Sequence, residues 1–238
     1  MIQNPLANIP PVVKNLLIIN FICFVPYLLF SNDIYNARVI ANMGVFYFNS
    51  PNFKMWQIIT HMFFHGGWAH IIFNMFALYS FGMAMEYTLG SKRFFNFYFI
   101  CGLGAIALQM LVQAVEVHNL IGSFTLGGAT TNLGTLDAAS ISKLRDIYGS
   151  PMVGASGAIF GLLIGFGMLY PNAELLILFI PVPVKAKYII PVYILFELYL
   201  GIEQYSGDSV AHFAHLGGAL IGFIIIKIWG IKRPNNFF

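Results

Sequence analysis

Residues 154–165 read GASGAIFGLLIG, an apolar run in which Ser156 is followed by glycine at every fourth position, Gly157, Gly161 and Gly165. Small residues at this spacing form a ridge on one helix face and let two backbones approach closely inside a membrane. A serine in such a helix commonly bonds to a backbone carbonyl group. On its own, therefore, the stretch predicts a helix interface in a bilayer.

The composition of the whole chain also indicates a membrane protein. Of 238 residues, 58% are hydrophobic and 9% are charged, with a mean hydropathy of +0.77, whereas a soluble domain carries roughly 25% charged residues. A spanning helix needs about 20 residues, so the chain has room for roughly six helices and short connections. We predict an all-α polytopic membrane protein with one domain over residues 1–238.

Six apolar segments follow one another along the chain. The first lacks a small-x-small cleavage site, so we expect a retained helix rather than a signal peptide. Residues 122–150 are rich in Gly, Thr, Ser, Asn and Asp, which predicts a long loop over the mouth of the bundle. The predicted helices span about residues 12–30, 68–87, 94–115, 155–170, 188–202 and 211–229.

Lysine and arginine are unevenly divided between alternate loops, and cytoplasmic loops carry the excess. Both termini are therefore predicted to be cytoplasmic, and the second, fourth and sixth segments run inward from the outer face. Eight basic residues lie on the predicted inner side, Lys14, Lys92, Arg93, Lys185, Lys187, Lys227, Lys232 and Arg233, and four on the outer side, Arg38, Lys54, Lys143 and Arg145.

The three inward-running segments each carry polar residues near their beginning. At about 1.5 Å per residue, Ser156, His215, His70 and Asn74 lie roughly 22, 21, 24 and 18 Å above the inner ends of their helices. These heights define one layer in a hydrocarbon core about 30 Å thick. Three helices thus deliver polar groups to one depth.

The sixth segment repeats the spacing of four with Ala214, Gly218 and Gly222. If this ridge faces the one on the fourth segment, Ser156 and His215 become neighbours. A neutral imidazole can take the proton of a serine hydroxyl and return it to a leaving amine. The pair predicts peptide hydrolysis through a serine nucleophile with His215 as general base and acid.

Donors for an oxyanion are available on the second segment, where His70 and Asn74, at i and i+4, share a helix face. With the backbone N–H of Ser156, they would stabilise a tetrahedral intermediate by roughly 3 to 4 kcal/mol each. Phe160, one turn after Ser156, is expected to pack on the His215 ring. Water must reach this layer, so a polar cavity open to the outside is required.

Three stretches together resemble the motifs of the rhomboid family of intramembrane serine proteases, in order and spacing: GASG at 154–157, HMFFHGGWAHIIFN at 61–74 and AHLGG at 214–218. The resemblance covers nearly the whole chain. It implies a single rhomboid-like domain with a six-helix core and cleavage of substrate transmembrane segments near the outer face. It also implies a Ser156–His215 dyad, oxyanion contributions from His70 and Asn74, and support from Gly154, Gly157 and Gly218.

The partners that the resemblance implies are transmembrane substrate proteins and membrane lipids. We expect no cofactor and no metal. The net charge of +3 is small and spread over loops, which argues against nucleic acid. The minimal six-segment layout and the absence of an organelle presequence lead us to expect a bacterial inner membrane.

Other histidines compete for a role. His215 is preferred as the base because it alone precedes Leu-Gly-Gly, and His212 is expected to be a neighbouring polar residue at the wetter end of the segment. His61 and His65, at i and i+4, would suit a metal if that stretch is helical. No HExxH motif accompanies them, so a structural role in the first loop is favoured.

Two features depart from the family pattern. Glu197 lies in the middle of an apolar segment, where a carboxylate is costly; it is either a third catalytic group or, as the family's acid-free dyad favours, a protonated or cavity-facing residue. Its segment, with Pro191, is predicted to be a mobile gate for the substrate.

Family members usually carry arginine after the first-loop tryptophan, whereas this chain has Trp56-Gln57, which puts loop anchoring in doubt.

We therefore predict an intramembrane serine endopeptidase. Two alternatives stay open, a catalytically silent rhomboid-like protein that binds client helices and a small proton-coupled transporter that uses Glu197 and the histidines. The intact set of serine, histidine and oxyanion donors argues against the first. The lack of a detectable internal repeat argues weakly against the second.

Overall fold

The computed structural model describes residues 8–177, 180–204 and 210–233. Within these ranges the chain is mostly helical, and a helix of at least 14 residues lies at each of the six apolar segments. A further helix, α4, lies in the connection that was predicted to be a loop. The bounds are α1 Pro11–Leu29, α2 Trp68–Leu89, α3 Ser91–Ile121, α4 Ala138–Gly149, α5 Ser156–Leu169, α6 Ala186–Glu203 and α7 His212–Trp229.

Shorter elements fill the connections. An antiparallel hairpin, β1 Glu174–Ile177 and β2 Ile180–Lys185, joins α5 to α6 and pairs Glu174 with Lys185. This hairpin departs from the all-α prediction, because a short apolar run is not distinguishable from helix by periodicity alone. The remaining short elements are α-helical at Asn32–Ile34, Ala41–Met43 and Gln57–Thr60, π-helical at Tyr35–Ile40, and 3₁₀-helical at His61–Phe63, Leu126–Gly128 and Leu133–Thr135.

Four helices in the described part of the chain, α1, α2, α3 and α7, are long and apolar enough to cross a bilayer. The protein is therefore a multi-pass membrane protein. The helix α5 is equally apolar but has only 14 residues, and α6 contains Pro191 and Glu197. The count of six spans and the cytoplasmic location of both termini stay predictions.

The centre of the bundle is α5, of which ten of 14 residues are buried. Its glycine ridge faces α7 at extremely short range: a Cβ on Gly218 would lie 1.8 Å from the Gly157 carbonyl oxygen, and one on Gly222 would lie 2.7 Å from that of Gly161. The predicted contact of the two ridges is confirmed at these positions. Gly165 instead faces α2, where a Cβ would lie 2.6 Å from Met85 Cε.

A buried carboxylate joins the first three helices. Glu86 on α2 accepts hydrogen bonds from the backbone N–H groups of Val12 and Val13, at 3.0 and 2.8 Å, and from Ser91 Oγ at 2.7 Å. The first N–H groups of a helix have no partner within it and carry partial positive charge. Glu86 therefore satisfies the beginning of α1 from a neighbouring helix.

The first loop is anchored by Gln57, the residue that follows Trp56 in place of the expected arginine. Gln57 is completely buried. Its side chain accepts from the Lys54 N–H at 2.9 Å and donates to the Asn52 carbonyl group at 3.1 Å, with the carbonyl oxygens of Ala41 and Asn42 at 3.3 and 3.4 Å. The neutral amide of Gln57 therefore both accepts and donates hydrogen bonds within the first loop.

The long connection is more ordered than its polar composition indicated. The helix α3 extends to Ile121 and ends at Gly122, which has a left-handed φ of 70°. Asp137 accepts a hydrogen bond from the Ser140 N–H at 2.7 Å and caps α4. From the sequence we expect the loop from residues 203 to 210 to cap the site, and its residues 205–209 lie outside the described ranges.

Candidate active site

Ser156 is the first residue of α5, at the end of a turn that only glycine can make. Gly154 has a φ of 125° and donates its N–H to the His61 carbonyl oxygen at 2.8 Å. A Cβ at Gly154 would lie 2.5 Å from His70 Nε2. Glycine is thus required twice, for the backbone conformation and for the space that the imidazole fills.

The structure brings Ser156 and His215 together. The hydroxyl Oγ of Ser156 lies 2.8 Å from His215 Nε2. The close approach of α5 and α7 at Gly218 makes this contact possible, and the Ala214 N–H at the beginning of α7 donates to Gln109 Oε1 at 3.1 Å. Both side chains remain partly exposed. The pair has the distance that proton transfer requires.

An aromatic stack covers one face of the histidine. The rings of Phe160 and His215 are nearly parallel, at an angle of 8°, with centroids 4.2 Å apart. Tyr193 on α6 lies on Phe160 with centroids 5.2 Å apart. The stack limits rotation of the imidazole and leaves its nitrogen atoms to be aimed by hydrogen bonds.

A carboxylate lies on the opposite edge of the imidazole from the serine. Glu197 Oε2 is 2.8 Å from His215 Nδ1 and also 2.8 Å from His212 Nδ1. The exposed fractions of the Glu197 and His212 side chains are 6% and 8%. Glu197 therefore bonds to two imidazoles rather than facing an open cavity, and His212 is buried in this cluster rather than lying at the wetter end of the helix. An isolated acid in an apolar segment was the signal for Glu197.

Two further side chains surround the turn before Ser156. His70 Nδ1 accepts from the Gly66 N–H at 3.4 Å, so the ring proton is on Nε2, which points toward Gly154. Asn74 is buried, and its Nδ2 has no hydrogen-bond partner within the described residues. A buried donor without an acceptor is costly. Both side-chain nitrogens lie next to Gly154, two residues before Ser156, whose backbone N–H is at the start of α5 and has no acceptor within that helix.

The histidines of the first loop have structural surroundings. His61 Nδ1 lies 2.9 Å from the Gln57 carbonyl oxygen, and the His65 ring lies edge-on to His70 with centroids 5.0 Å apart. Burial lowers the pKa of His61 to about 4 and that of His65 to about 3, so both rings are neutral near pH 7. Neither belongs to a group of three potential metal ligands among the described residues.

One such group does occur in the described part of the chain. Glu197, His212 and His215 each offer one ligand atom, and these atoms lie within 4.8 Å of one another. The hydrogen bonds from the two Nδ1 atoms already satisfy the carboxylate oxygen.

The residues of this site lie in a part of the chain that matches a known protein family. A family model described as "Rhomboid domain" matches residues 52–231. The chain is 27% identical to "RHOMBOID-like protein 12, mitochondrial" of Arabidopsis thaliana, over 87% of this chain and 60% of the relative. It is 29% identical to the YdcA protein of Bacillus subtilis, over 78% and 72%, and 26% identical to "Rhomboid-like protease 3" of Toxoplasma gondii, over 48% and 44%.

The chain spans 60% of the Arabidopsis relative and 44% of the Toxoplasma one. The relatives come from different compartments, because some are named mitochondrial or chloroplastic and the Bacillus subtilis relative is bacterial. Location in a bacterial inner membrane therefore stays a prediction.

Proposed function

Because the chain belongs to the rhomboid family, we propose that it is an intramembrane serine endopeptidase that cleaves peptide bonds in or beside transmembrane segments of membrane proteins. The observation that carries this proposal is the distance of 2.8 Å between Ser156 Oγ and His215 Nε2. A serine acting only as a helix contact would bond to a backbone carbonyl group. An imidazole nitrogen at this distance is instead the partner that a nucleophilic serine needs.

The proposed reaction has an acylation step and a hydrolysis step. His215 Nε2 takes the Ser156 proton while Oγ attacks the scissile carbonyl carbon, and the resulting oxyanion accepts hydrogen bonds from the Ser156 N–H, His70 Nε2 and Asn74 Nδ2. The protonated His215 then gives its proton to the leaving amine. Water, deprotonated by His215, hydrolyses the acyl-enzyme and frees Ser156.

The substrate must present an accessible carbonyl group. A helix hides its carbonyl oxygens in backbone hydrogen bonds, so a segment that contains small or helix-breaking residues near the scissile bond unwinds more readily. In this proposal both termini are cytoplasmic, six helices span the membrane, and the cut lies near the outer face. The helix α6, which packs beside the dyad, is the gate through which the segment enters.

The test is cleavage of a model transmembrane substrate by the purified protein in detergent. Ser156→Ala and His215→Ala should each abolish cleavage, and Ser156→Ala should also abolish labelling by a fluorophosphonate. Ser150→Ala, at an exposed serine, is the matched control and should behave as the wild type. EDTA should leave the rate unchanged. Retained cleavage by Ser156→Ala would rule out this mechanism.

Two non-enzymatic functions make different predictions. A silent client-binding protein would show neither cleavage nor fluorophosphonate labelling. A proton-coupled transporter finds support in the buried cluster of Glu197 with His212 and His215, since intramembrane acids and histidines serve as proton relays. It would move protons across liposomes in a manner that depends on Glu197 but not on Ser156.

A further inference from the structure

We propose that Glu197 is a positioning residue that turns the dyad into a Ser156–His215–Glu197 triad. The inference rests on the proposed function and extends it, because the family resemblance implied a dyad without an acid. The three side chains form a continuous line of hydrogen bonds, with 2.8 Å from Ser156 Oγ to His215 Nε2 and 2.8 Å from His215 Nδ1 to Glu197 Oε2.

The first consequence concerns the position of the ring proton. An ionised carboxylate only accepts hydrogen bonds, so each imidazole nitrogen that bonds to Glu197 Oε2 must donate. His215 therefore carries its proton on Nδ1, and its Nε2 lone pair faces the Ser156 hydroxyl. This is the tautomer that a general base needs, since the opposite tautomer would present an N–H to the serine.

The second consequence concerns charge. When His215 takes the serine proton, an imidazolium forms in a site with little exposure to water, beside the carboxylate of Glu197. An opposite charge at hydrogen-bond distance stabilises the charged form of the ring. Among the described residues, the other titratable side chains that interact with this cluster include His212 on α7, Tyr193 on α6 and His70 on α2, none of which is a carboxylate.

His212 holds the carboxylate in place. It lies one turn before His215 on α7, and the two rings are nearly perpendicular, at 87°, with centroids 6.2 Å apart. The two Nδ1 atoms thus approach the same Glu197 oxygen from different directions. A carboxylate fixed by two donors keeps its position even though it lies on a different helix.

The triad depends on the packing of α6 against α7. A Cβ on Gly201 would lie 3.2 Å from His212 Cβ and 3.3 Å from the Phe213 ring, which shows how closely the two helices approach. The nucleophile and base lie on α5 and α7, whereas the acid lies on α6. A shift of α6 by about 1 Å would stretch the Glu197 bonds beyond normal length, so the base is fully oriented only while α6 is packed.

The experiment measures kcat and KM for the wild type and for Glu197→Gln, Glu197→Asp and Glu203→Gln. Glu203 lies on the same helix and is exposed, so its variant is the matched control and should equal the wild type. We expect Glu197→Gln to lower kcat by about 10²- to 10⁴-fold, the range for loss of acid–base function, with KM changed less than about threefold. Glu197→Asp should recover part of kcat, because it restores the charge.

A spectroscopic measurement separates positioning from a merely structural role. In ¹⁵N-histidine-labelled wild type, neutral His215 should show a protonated Nδ1 and an unprotonated Nε2, and Glu197→Gln should lose this pure tautomer while its melting temperature stays within a few degrees. An Nε2–H tautomer in the wild type would overturn the proposal even if the variants failed to fold.

Other outcomes are equally decisive. Wild-type kcat in Glu197→Gln, in a protein whose cleavage requires Ser156, would overturn the triad and leave the protease intact. Retained cleavage by Ser156→Ala would instead overturn the proposed function. Loss of activity in EDTA with recovery in Zn²⁺ would identify the cluster as a metal site and also overturn the triad.

Discussion

Gly218→Ala tests whether the close approach of α5 and α7 creates the catalytic pair. The added Cβ would lie 1.8 Å from the Gly157 carbonyl oxygen and 2.7 Å from its carbonyl carbon, although real Cβ atoms essentially never come within 3.0 Å of such neighbours. The obstructing atoms belong to the backbone, so no side chain can rotate away. The two helices must separate by about 1.2 Å to relieve the clash.

This separation acts directly on the dyad. Ser156 precedes Gly157 in the chain, and His215 lies one turn before Gly218. A hydrogen bond of 2.8 Å lengthened by about 1.2 Å reaches about 4 Å, which is no longer a hydrogen bond. A misplacement of about 1 Å lowers the rate by roughly 10²-fold, and overpacking lowers the free energy of unfolding by about 1–3 kcal/mol.

The assay compares kcat, fluorophosphonate labelling and thermal unfolding in detergent. Gly149→Ala is the matched control, because it adds the same methyl group where nothing lies within 4 Å. Gly222→Ala, one turn farther from His215 and 2.7 Å from the Gly161 oxygen, should have a smaller effect. If Gly218→Ala cleaved and labelled like Gly149→Ala, the reasoning from helix approach to catalysis would be wrong.

Three further predictions concern stability and support of the site. Glu86→Gln should lower the free energy of unfolding by about 1.5–3 kcal/mol, because the charge-assisted hydrogen bonds to the start of α1 are lost. The control Glu174→Gln, at an exposed carboxylate, should change the free energy of unfolding by less than about 0.5 kcal/mol. Burial lowers the pKa values of His61 and His65 from 6.5 to about 4 and 3, so the unfolded state binds more protons than the folded state as the pH falls below 6.5. Each residue should therefore remove about 2 kcal/mol of stability by pH 5. The free energy of unfolding of His65→Leu should depend less on pH between 7 and 5 than that of the wild type. Gln109→Leu removes one of two acceptors of the Ala214 N–H, the other being the Ala211 carbonyl oxygen at 2.9 Å. It should lower the free energy of unfolding by about 0.5–1.5 kcal/mol, and unchanged unfolding would contradict that role.

Local patterns in the sequence predict several parts of the molecule. Hydropathy located the long helices, and the spacing of four on two segments indicated which faces meet, from which the contact of Ser156 with His215 followed. The helix α4 differs from the loop predicted for residues 122–150, because the polar composition of that stretch is typical of loops. Its cap at Asp137 and its buried residues Leu144, Ile147 and Tyr148, at helical spacing, were nevertheless present in the sequence.

The position of Glu197 was not accessible in this way. Whether a residue on α6 meets α7 depends on the relative rotation and height of two helices joined by a connection that no short-range pattern constrains. Packing at Gly201 sets that register in three dimensions. The sequence could mark Glu197 as costly and therefore suspect, but it could not identify its partners.

The cost of burying Glu197 explains why the cluster has two histidines rather than one. An ionised carboxylate moved out of water loses several kcal/mol of solvation, and a single hydrogen bond does not replace it. Two hydrogen bonds to Glu197 Oε2, from the Nδ1–H groups of His212 and His215 at 2.8 Å each, together offset this lost solvation. When His215 takes the serine proton at Nε2, its Nδ1 stays 2.8 Å from Glu197 Oε2, and His212 holds the same oxygen throughout that step. A second, non-reacting imidazole therefore keeps the carboxylate ionised and in place while the first one does the chemistry.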